Sequence, residues 1–356
     1  MPKNRILLYG ANGYTGQLVA RFATQYNLMP ILAGRDQVAI AALANNLRLE
    51  YRVFDLDNEA ILEHSLQDIA VVIHAAGPFD LTAKPMVEAC LKTGTHYMDL
   101  NGDKDVFELL LGYDEAAKKA GIMLLPGAGF DVVPTDCISL YLKNKLPDAT
   151  YLQIAFATPG GGLSHGTAIT TVSKLGEPGA VREAGKLVPV PIGHKCLWVS
   201  FFTGKGKPDK KIFTMTIPWG DVFTAYVSTG IPNIETYTAV PMAAYPFVKL
   251  QRLFNWLLRR KGVRNLLKNK IKQRPPGLDD AKRNVATSLV WGKATNSSGQ
   301  FVTARLSGPD AYTLTAHSCL IIVQKILAQH YKPGYQTPAS VYGENLVLEV
   351  PGVERE

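Results

Sequence analysis

Three glycines near the start of the chain are spaced to bind a phosphate group. Gly10, Gly13 and Gly16 follow the apolar run Ile6–Tyr9 and precede a helical pattern that begins at Gln17. Gly10 permits a tight turn, Gly13 lets backbone amides approach a pyrophosphate, and Gly16 lets a helix pack against the strand. The pyrophosphate would lie at a helix N-terminus, where N–H groups and the helix dipole favour anions. This context predicts dinucleotide binding. The other loop residues expected at the site are Asn12, Tyr14 and Thr15.

The end of the second predicted strand indicates which dinucleotide is bound. An acidic residue there would hold the ribose 2′-OH of NAD, whereas this chain has Gly34 followed by Arg35. A guanidinium fork suits a 2′-phosphate, so the sequence favours NADP(H), the alternative being that Arg35 is only a surface arginine. Asp55 follows the third strand, where the adenine edge usually rests. The residues expected beside the nicotinamide follow the fourth strand and are Ala76, Gly77, Pro78 and Phe79.

Reduction of a substrate by NADPH consumes a proton as well as a hydride, so a titratable group is expected near the nicotinamide. The candidates lie at predicted strand ends or in a glycine-rich loop, and they are Tyr97, Asp99, Asp131 and His165. Asn101 is expected to contact the cofactor. Each candidate has a structural alternative: Tyr97 as a core residue and Asp99 as a partner of backbone amides. Asp131 can cap a helix, and His165 can be a solvated helix start.

Alternating strands and helices must position these groups. The predicted strands of the first third are the apolar runs Ile6–Tyr9, Met29–Ala33, Tyr51–Phe54, Ala70–Ala75, His96–Asp99 and Ile122–Leu125. The predicted helices between them are Gln17–Tyr26, Gln37–Asn46, Glu59–Ser65, Ala83–Thr93 and Val106–Ala120. This alternation predicts an α/β fold, a doubly wound parallel sheet whose ligand lies at the carboxyl ends of the strands.

From Tyr151 onward the pattern changes to longer strand-like stretches with few helices, which predicts a second domain on a mixed or antiparallel sheet. Its predicted strands include Leu152–Ala157, Lys211–Pro218, Asn284–Trp291 and Phe301–Ser307. The predicted helices are His165–Leu175, Ala243–Arg260 and Ala311–His330. We expect a dinucleotide-binding domain at 1–132, a substrate and dimerisation domain at 133–308, and a C-terminal helix and tail at 309–356 that return to the first domain.

The composition is typical of a soluble globular protein. Apolar residues make up 47% and charged residues 19% of the chain, without a low-complexity block. The sequence opens directly on the first predicted strand, so no signal peptide is expected. The four cysteines lie far apart, which favours reduced thiols in a cytoplasmic protein without a metal site.

The net charge of +8 comes from one segment. No acidic residue lies between Glu235 and Asp279, whereas ten Lys and Arg do, and without them the chain is slightly negative. Beside Lys249 and Arg252, apolar residues recur at helical spacing. The pattern predicts either a core-facing helix with a solvated basic flank, or peripheral contact of 247–274 with an anionic membrane or an acyl carrier. Charges interrupt the apolar run, so it is not a transmembrane span.

Together these motifs resemble the saccharopine dehydrogenase-like oxidoreductases, in particular the trans-acting enoyl reductase and saccharopine reductase-like branch. The resembling stretches are Gly10–Gly16, Ala33–Arg35, Ala75–Phe79, Tyr97–Gly102, Pro126–Asp131, Gly166–Thr167, Ile217–Asp221, Ser228–Pro232, Gly308–Tyr312 and Thr337–Ala339. The resemblance implies a Rossmann domain, an inserted α/β domain on a mixed sheet, and NADP(H). It implies reduction of an imine, enoyl or carbonyl group of a small or acyl-chain substrate, whose identity stays open.

Other functions stay open. One is a redox sensor that binds NADP without turnover, and another is a lipid-associated protein. Tyr141 and Lys145 match the Tyr-x-x-x-Lys of short-chain dehydrogenases, but two predicted strands separate them from Gly77, and no serine precedes Tyr141 at the usual distance. A homodimer is expected, and a nucleic-acid partner is not.

Overall fold

A computed structural model of the protein describes residues 3–251 and 253–356. The chain divides into two compact units. The first contains the residues up to Val133 together with Tyr312–Tyr342, and the second contains Pro134–Ala311 together with Gly343–Glu356. The second unit is therefore inserted between two parts of the first.

Strands and helices alternate through the first 133 residues. The strands are β1 Arg5–Tyr9, β2 Ile31–Gly34, β3 Tyr51–Val53, β4 Ile69–His74, β5 His96–Asp99 and β6 Met123–Leu125. The helices are α1 Tyr14–Phe22, α2 Gln37–Leu47, α3 Glu59–Leu66, α4 Phe79–Thr93, α5 Lys104–Leu111 and α6 Asp114–Ala120, with a 3₁₀ turn at Ala23–Tyr26. All six predicted strands are present, and β1, β2, β4 and β6 are buried runs of mainly apolar residues.

Longer strands dominate the rest of the chain. The helices of the central part are α7 Val133–Lys145, α8 His165–Ser173, α9 Asp221–Thr229, α10 Tyr245–Gln251, α11 Asn255–Leu258, α12 Lys261–Lys272 and α13 Asp280–Val285. Its strands are β7 Ala149–Ala157, β8 Gly179–Glu183, β9 Lys186–Val190, β10 Cys196–Phe201, β11 Lys210–Thr216, β12 Asn233–Ala239, β13 Thr287–Asn296 and β14 Phe301–Pro309. The C-terminal elements are α14 Ala311–Leu327, β15 Gly334–Tyr335, α15 Pro338–Tyr342 and β16 Glu354–Arg355, and 3₁₀ turns lie at Met242–Ala244 and Leu346–Glu349.

The first unit is built on a seven-stranded sheet with the order β15-β6-β5-β4-β1-β2-β3. Every pairing in it is parallel. The six residues of β4 are all buried, as expected for a strand covered on both faces. The order reverses between β1 and β4, and ligands of such sheets bind at this switch point. The predicted Rossmann architecture is confirmed.

The second unit contains the mixed sheet that was predicted. Its main path has the order β10-β11-β12-β7-β13-β14-β16, and β8 and β9 branch from β12. The β12–β7 pairing is parallel, whereas β7–β13 and β13–β14 are antiparallel. Buried Phe201, Tyr237 and Leu289 belong to one core cluster on this sheet.

Helix α14 packs in the first unit. His317 stacks on Phe22 with ring centroids 4.9 Å apart, and its Nδ1 lies 2.7 Å from the Tyr26 hydroxyl. The Ser318 hydroxyl donates to the carbonyl oxygen of Ala128 at 2.8 Å. These bonds hold α14 against α1 and against the loop that follows β6.

Several predicted helix boundaries are wrong. Helix α1 begins at Tyr14 and not at Gln17, because the extended backbone of Gly13 already forms its N-cap. Helix α4 begins at Phe79 and not at Ala83, directly after its N-cap Pro78. Both helices therefore begin inside the predicted cofactor loops.

Three longer predictions also need correction. The stretch Val106–Ala120 forms two helices, α5 and α6, which are separated at Gly112. The stretch Ala243–Arg260 forms a 3₁₀ turn and two short helices. Strand β13 starts at Thr287 and not at Asn284, because the carboxylate of Asp279 caps α13 by accepting from the Lys282 amide at 2.8 Å.

Candidate functional site

The turn between β1 and α1 has no room for side chains at two of its glycines. Gly10 has a φ of +84°, and a Cβ on it would lie 2.7 Å from the Ala76 nitrogen. A Cβ on Gly16 would overlap the carbonyl oxygen of Gly10. Gly13 differs, because its φ is −70° and it is exposed. Its backbone angle does not require glycine, so what its missing side chain provides is an open approach to the start of α1.

The N-terminus of α1 is suited to an anion. The neighbouring helices are capped by their own side chains: Asp36 accepts from the Ala39 amide at 3.0 Å, and Asn58 accepts from the Ile61 amide at 3.1 Å. Gly13 supplies no such side chain, and the first turn of α1 has no acidic residue. The first amides of a helix have no intrahelical acceptor. The turn therefore fits the pyrophosphate of a dinucleotide.

The remaining loop residues lie around this helix start. Asn12, Tyr14 and Thr15 are half-buried. The carbonyl oxygen of Asn12 accepts from the Gln17 side chain at 2.9 Å. The Tyr14 ring meets the Tyr312 ring edge-on with centroids 4.9 Å apart. Residues from both ends of the chain thus shape the loop.

Arg35 is exposed immediately after β2. Among residues 3–251 and 253–356 it has no ion-pair partner. A Cβ on the preceding Gly34 would lie 3.1 Å from Cδ1 of Ile40 and 3.4 Å from Oδ1 of Asn12. Glycine at this position therefore lets the Asn12 side chain lie close to β2. Arg35 follows the strand at whose end sheets of this kind recognise the ribose, so its guanidinium is a candidate to bind a 2′-phosphate.

Asp55 is exposed after β3, near the same sheet edge as Arg35. Burial, together with the nearby Asp55 carboxylate, raises the pKa of Tyr9 to about 12, and Arg35 opposes this shift. The Tyr9 hydroxyl donates to the carbonyl oxygen of Phe54 at 3.2 Å. Asp55 and Arg35 are thus both close enough to Tyr9 to influence its ionisation.

The segment after β4 faces the glycine turn. Ala76 is the residue that approaches Gly10 most closely, while Gly77 and Pro78 are exposed. Phe79 is half-buried at the start of α4, and its ring lies edge-on to His74 at 5.4 Å. Small residues at this point leave backbone accessible beside the switch point.

His74, at the end of β4, is a site residue that the sequence predictions missed. It is fully buried between the rings of Tyr9, at 5.8 Å, and Tyr97, at 6.0 Å. Burial lowers its pKa to about 3, so the ring is neutral at physiological pH. Its Nε2 lies 2.9 Å from the Thr82 hydroxyl, which donates to the Ala76 carbonyl at 2.7 Å. A histidine at the end of an otherwise apolar strand is the signal that could have identified it.

Asp99 joins the loops that follow β5 and β6. Its Oδ1 accepts from the amides of Asn101, at 3.0 Å, and Gly127, at 2.8 Å. Its Oδ2 accepts from the Tyr97 hydroxyl at 2.8 Å. Burial raises the pKa of Asp99 to about 6, although these hydrogen bonds lower it. Two of these three bonds come from backbone amides, as expected from the alternative role of Asp99 as a partner of backbone amides.

Tyr97 and Asn101 are also enclosed. Tyr97 is fully buried, and burial raises its pKa well above the usual value. Asn101 is 4% exposed, and its Oδ1 accepts from the Asp103 amide at 3.0 Å. Both side chains are thus held by protein partners, which limits their access to a cofactor or substrate.

Asp131 is half-buried in the loop after β6. Its carboxylate lies against Gly102, because a Cβ on Gly102 would be 2.9 Å from Oδ2. Burial raises the pKa of Asp131 to about 7. Helix α7 begins at Val133, so Asp131 does not occupy the position directly before it. The structure brings Tyr97, Asp99, Asn101 and Asp131 into one loop cluster of the first unit.

His165 belongs to the second unit. It is half-buried at the start of α8, which Ser164 caps by accepting from the Thr167 amide at 3.3 Å. Its Nε2 lies 2.7 Å from the carbonyl oxygen of Arg274, and its amide donates to that of Pro276 at 3.0 Å. His165 therefore ties α8 to the loop after α12.

A cavity of about 310 Å³ lies beside His165. Its lining residues belong to the loop before α8, to α8 itself and to the end of α12 with the following loop, and they include Leu163, Ala168, Ile271, Arg274 and Leu278. The cavity is mainly apolar with one arginine at its edge. It lies within the second unit.

Tyr141 and Lys145 also lie in the second unit, on α7. The Arg355 guanidinium lies 4.0 Å from the centroid of the Tyr141 ring, and the Lys145 nitrogen lies 5.5 Å from it. Both cations thus interact with the ring of Tyr141, which is the contact expected of an ordinary helix surface.

The part of the chain that the structure describes lacks both a metal-binding cluster and a membrane-spanning helix. It contains no group of three or more His, Cys, Asp and Glu side chains arranged to hold a metal ion. It also contains no helix that is both long enough and apolar enough to cross a bilayer.

Residues 6–125 match the family model of the saccharopine dehydrogenase NADP binding domain. This part of the chain is therefore similar to the NADP-binding domain of saccharopine dehydrogenases. A human saccharopine dehydrogenase-like oxidoreductase is 24% identical over 215 residues, which cover 52% of this chain and 50% of that protein. A Mycobacterium tuberculosis protein named as a trans-acting enoyl reductase is 29% identical over 187 residues, or 48% of this chain and 44% of that protein. The chain thus matches about half the length of these relatives.

Saccharopine dehydrogenase (L-Glu forming) from Saccharomyces cerevisiae has a similar fold. The TM-score is 0.67 at 12% sequence identity, and the similarity covers 99% of both chains. The resemblance of the sequence motifs to this family is confirmed. The NADP(H) prediction is also confirmed, and the glycine turn, the start of α1 and Arg35 are the groups that fit it.

We expect Arg35 to discriminate between the two dinucleotides. Arg35→Ala should weaken NADPH binding by about 1.5–3 kcal/mol, the value of a hydrogen bond to a charged group. NADH binding should change little, because NADH has no 2′-phosphate. Isothermal titration of both cofactors measures the difference. Arg48→Ala, which removes another exposed charge from the same unit, should alter neither affinity, and equal losses for both cofactors in Arg35→Ala would contradict the assignment.

We expect Gly13→Val to fold but to lose NADPH binding. Its φ of −70° and ψ of 162° are accessible to valine, and the side chain would cover the start of α1. The affinity should fall by more than about tenfold, or 1.4 kcal/mol. Circular dichroism and NADPH titration measure the two properties. Gly16→Val is the contrasting variant and should lose stability, because its side chain would overlap the Gly10 backbone. If Gly13→Val is folded and binds NADPH with normal affinity, the phosphate site lies elsewhere.

Proposed function

We propose that this protein is an NADPH-dependent oxidoreductase that reduces an imine, enoyl or carbonyl group of a small or acyl-chain substrate. The observation that carries the proposal is the N-terminus of α1, which has no side-chain cap and lies at the switch point of a parallel sheet, with the exposed Arg35 after the neighbouring strand β2. The names of the human and mycobacterial relatives, an oxidoreductase and an enoyl reductase, support this class of reaction. When bound, NADPH supplies the hydride.

In this proposal, some residues of the chain bind the cofactor and others position the loops of the site. The turn at Gly10–Gly16 binds the pyrophosphate, and Arg35 binds the 2′-phosphate. His74, through Thr82, fixes the carbonyl group of Ala76 beside the nicotinamide side of the site. The buried carboxylate of Asp99 fixes the two loops that carry Asn101 and Gly127. These residues position the reactants without exchanging a proton with them.

Asp131 is the proton donor in this proposal. Tyr97 and Asp99 are fully buried and bonded to each other, which makes them poor donors to a substrate. Asp131 is half-buried, and its pKa of about 7 leaves the acid partly protonated at physiological pH. A general acid with a pKa near the working pH combines availability with driving force.

Turnover can be tested by following NADPH oxidation with three substrate classes, namely cyclic imines, enoyl thioesters and ketones. Oxidation with one class that is absent from Gly13→Val supports the proposal. NADPH binding without oxidation in any class would favour the non-catalytic redox sensor. Oxidation that is equal in the wild type and in Gly13→Val would show a contaminating activity.

We expect kcat to fall as the pH rises through about 7, because the donor must be protonated and its carboxyl group loses the proton above its pKa. Asp131→Asn cannot donate in this way, so kcat should fall by about 100-fold or more and lose this pH dependence. Steady-state kinetics between pH 5 and pH 9 would measure both effects. Glu108→Gln removes an exposed carboxylate from the same unit and should leave the profile unchanged. Full activity in folded Asp131→Asn would exclude Asp131 as the donor.

A further inference from the structure

The second unit exposes a cluster of large apolar side chains in one segment. Phe247 is 75% exposed and Trp256 is 61% exposed. The exposed apolar residues of the segment are Met242, Phe247, Leu250, Leu253, Phe254, Trp256, Leu257 and Leu266. Isolated exposed apolar residues are ordinary, but a contiguous group of this kind marks an interaction surface.

The segment is anchored to the second unit by its opposite face. The Tyr245 ring meets Phe213 edge-on at 5.3 Å, and its hydroxyl donates to the Gly193 carbonyl at 3.1 Å. The Val248 side chain also lies beside Gly193. Residues 245 and 248 therefore form the inner face of α10, and Phe247 and Leu250 form the outer face. Phe247, Leu250 and Trp256 are exposed, so the prediction of a core-facing helix is wrong for these three residues.

Two arginines secure the far end of the segment. The Arg259 Nε donates to the Gly176 carbonyl at 2.8 Å, and the Arg264 guanidinium donates to the Leu175 carbonyl at 2.7 Å. These carbonyls follow the C-terminus of α8, where cations are favourable. Arg259 and Arg264 are thus structural, and they are unsuitable for testing surface binding.

Other basic residues accompany the apolar cluster. Lys261, Lys268, Lys270 and Lys272 belong to α12, and within residues 3–251 and 253–356 none of them has an ion-pair partner. The Arg260 guanidinium lies 5.0 Å from the ring of Trp256. Arg252, another predicted contributor, lies outside the described residues. Since no acidic residue occurs from 236 to 278, the segment carries positive charges and no negative side chain.

We propose that residues 242–251 and 253–274 dock the protein onto an anionic lipid bilayer, with the exposed aromatic and leucine side chains entering the interfacial region. Apolar side chains flanked by unpaired lysines complement acyl chains beneath negative headgroups. Helices α10 and α11 are short, so the segment lies in the interface and does not cross it. The surface belongs to the second unit, whereas the proposed NADP site belongs to the first, and the inference does not depend on the proposed reaction.

Binding of the full-length chain to vesicles tests this surface. The wild type should float with vesicles of phosphatidylcholine and phosphatidylserine, bind more weakly to phosphatidylcholine alone, and dissociate as salt rises. Tryptophan fluorescence should shift to shorter wavelength on binding. Trp256→Phe should keep the binding and lose the shift, because it removes the reporter and keeps an apolar ring.

Matched variants separate apolar contact from charge. Phe247→Gln with Trp256→Gln should bind at least about tenfold more weakly. The control is Phe301→Gln with Trp198→Gln, which removes two exposed aromatic rings from the sheet of the same unit. Replacing Lys261, Lys268, Lys270 and Lys272 with Gln should also weaken binding about tenfold or more. The control for this variant replaces Lys205, Lys207, Lys210 and Lys211 with Gln, so that the two variants have the same net charge.

The outcomes are distinct. Loss of binding in both segment variants and retention in both controls support the proposal. Absence of wild-type binding to anionic vesicles at low salt overturns it. Equal losses in the segment and control variants overturn it as well, because general charge or hydrophobicity would then be responsible. Circular dichroism of each variant establishes that the compared proteins are folded.

Discussion

The close backbone approach between Gly10 and Ala76 is the constraint on which the nucleotide site depends. It brings the ends of β1 and β4 together at the point where the strand order reverses. The Gly10 amide also donates to the Ala33 carbonyl at 2.8 Å, so the turn is joined to β2 as well. A side chain at Gly10 would separate these three strands, and α1 could no longer begin above their carboxyl ends. The fixed turn leaves amides of α1 available to an anion.

A second constraint is the buried carboxylate of Asp99. A charged group without partners would be expensive in this environment, but three hydrogen bonds satisfy it. These bonds connect the loop after β5 to the loop after β6, and Asp131 lies in the latter. The sheet edge thus contains two carboxylates in different environments. Asp99 is enclosed and fully bonded, whereas Asp131 is half-buried and has the higher pKa.

The second unit buries large apolar side chains in one place and exposes them in another. Its mixed sheet buries aromatic and aliphatic side chains, but the segment from 242 to 266 leaves similar side chains outside. The segment is held by packing of Tyr245 and Val248 on its inner face and by tyrosine and arginine contacts to backbone carbonyls, while its outer apolar side chains stay exposed. Such an arrangement keeps a hydrophobic surface in a defined position.

Local patterns in the sequence were sufficient to predict the strands of the Rossmann unit, the glycine turn and the choice of NADP(H), because apolar runs and turn residues act over a few positions. Helix starts at Tyr14 and Phe79 were missed, since backbone capping by Gly13 and Pro78 has no hydrophobic periodicity. Only the tertiary structure decided that Asp99 is enclosed and that Asp131 is half-buried, because burial depends on residues distant in the chain. The same holds for Phe247 and Trp256: helical spacing of apolar residues predicts an apolar face, and only the tertiary structure determines that these two rings are exposed.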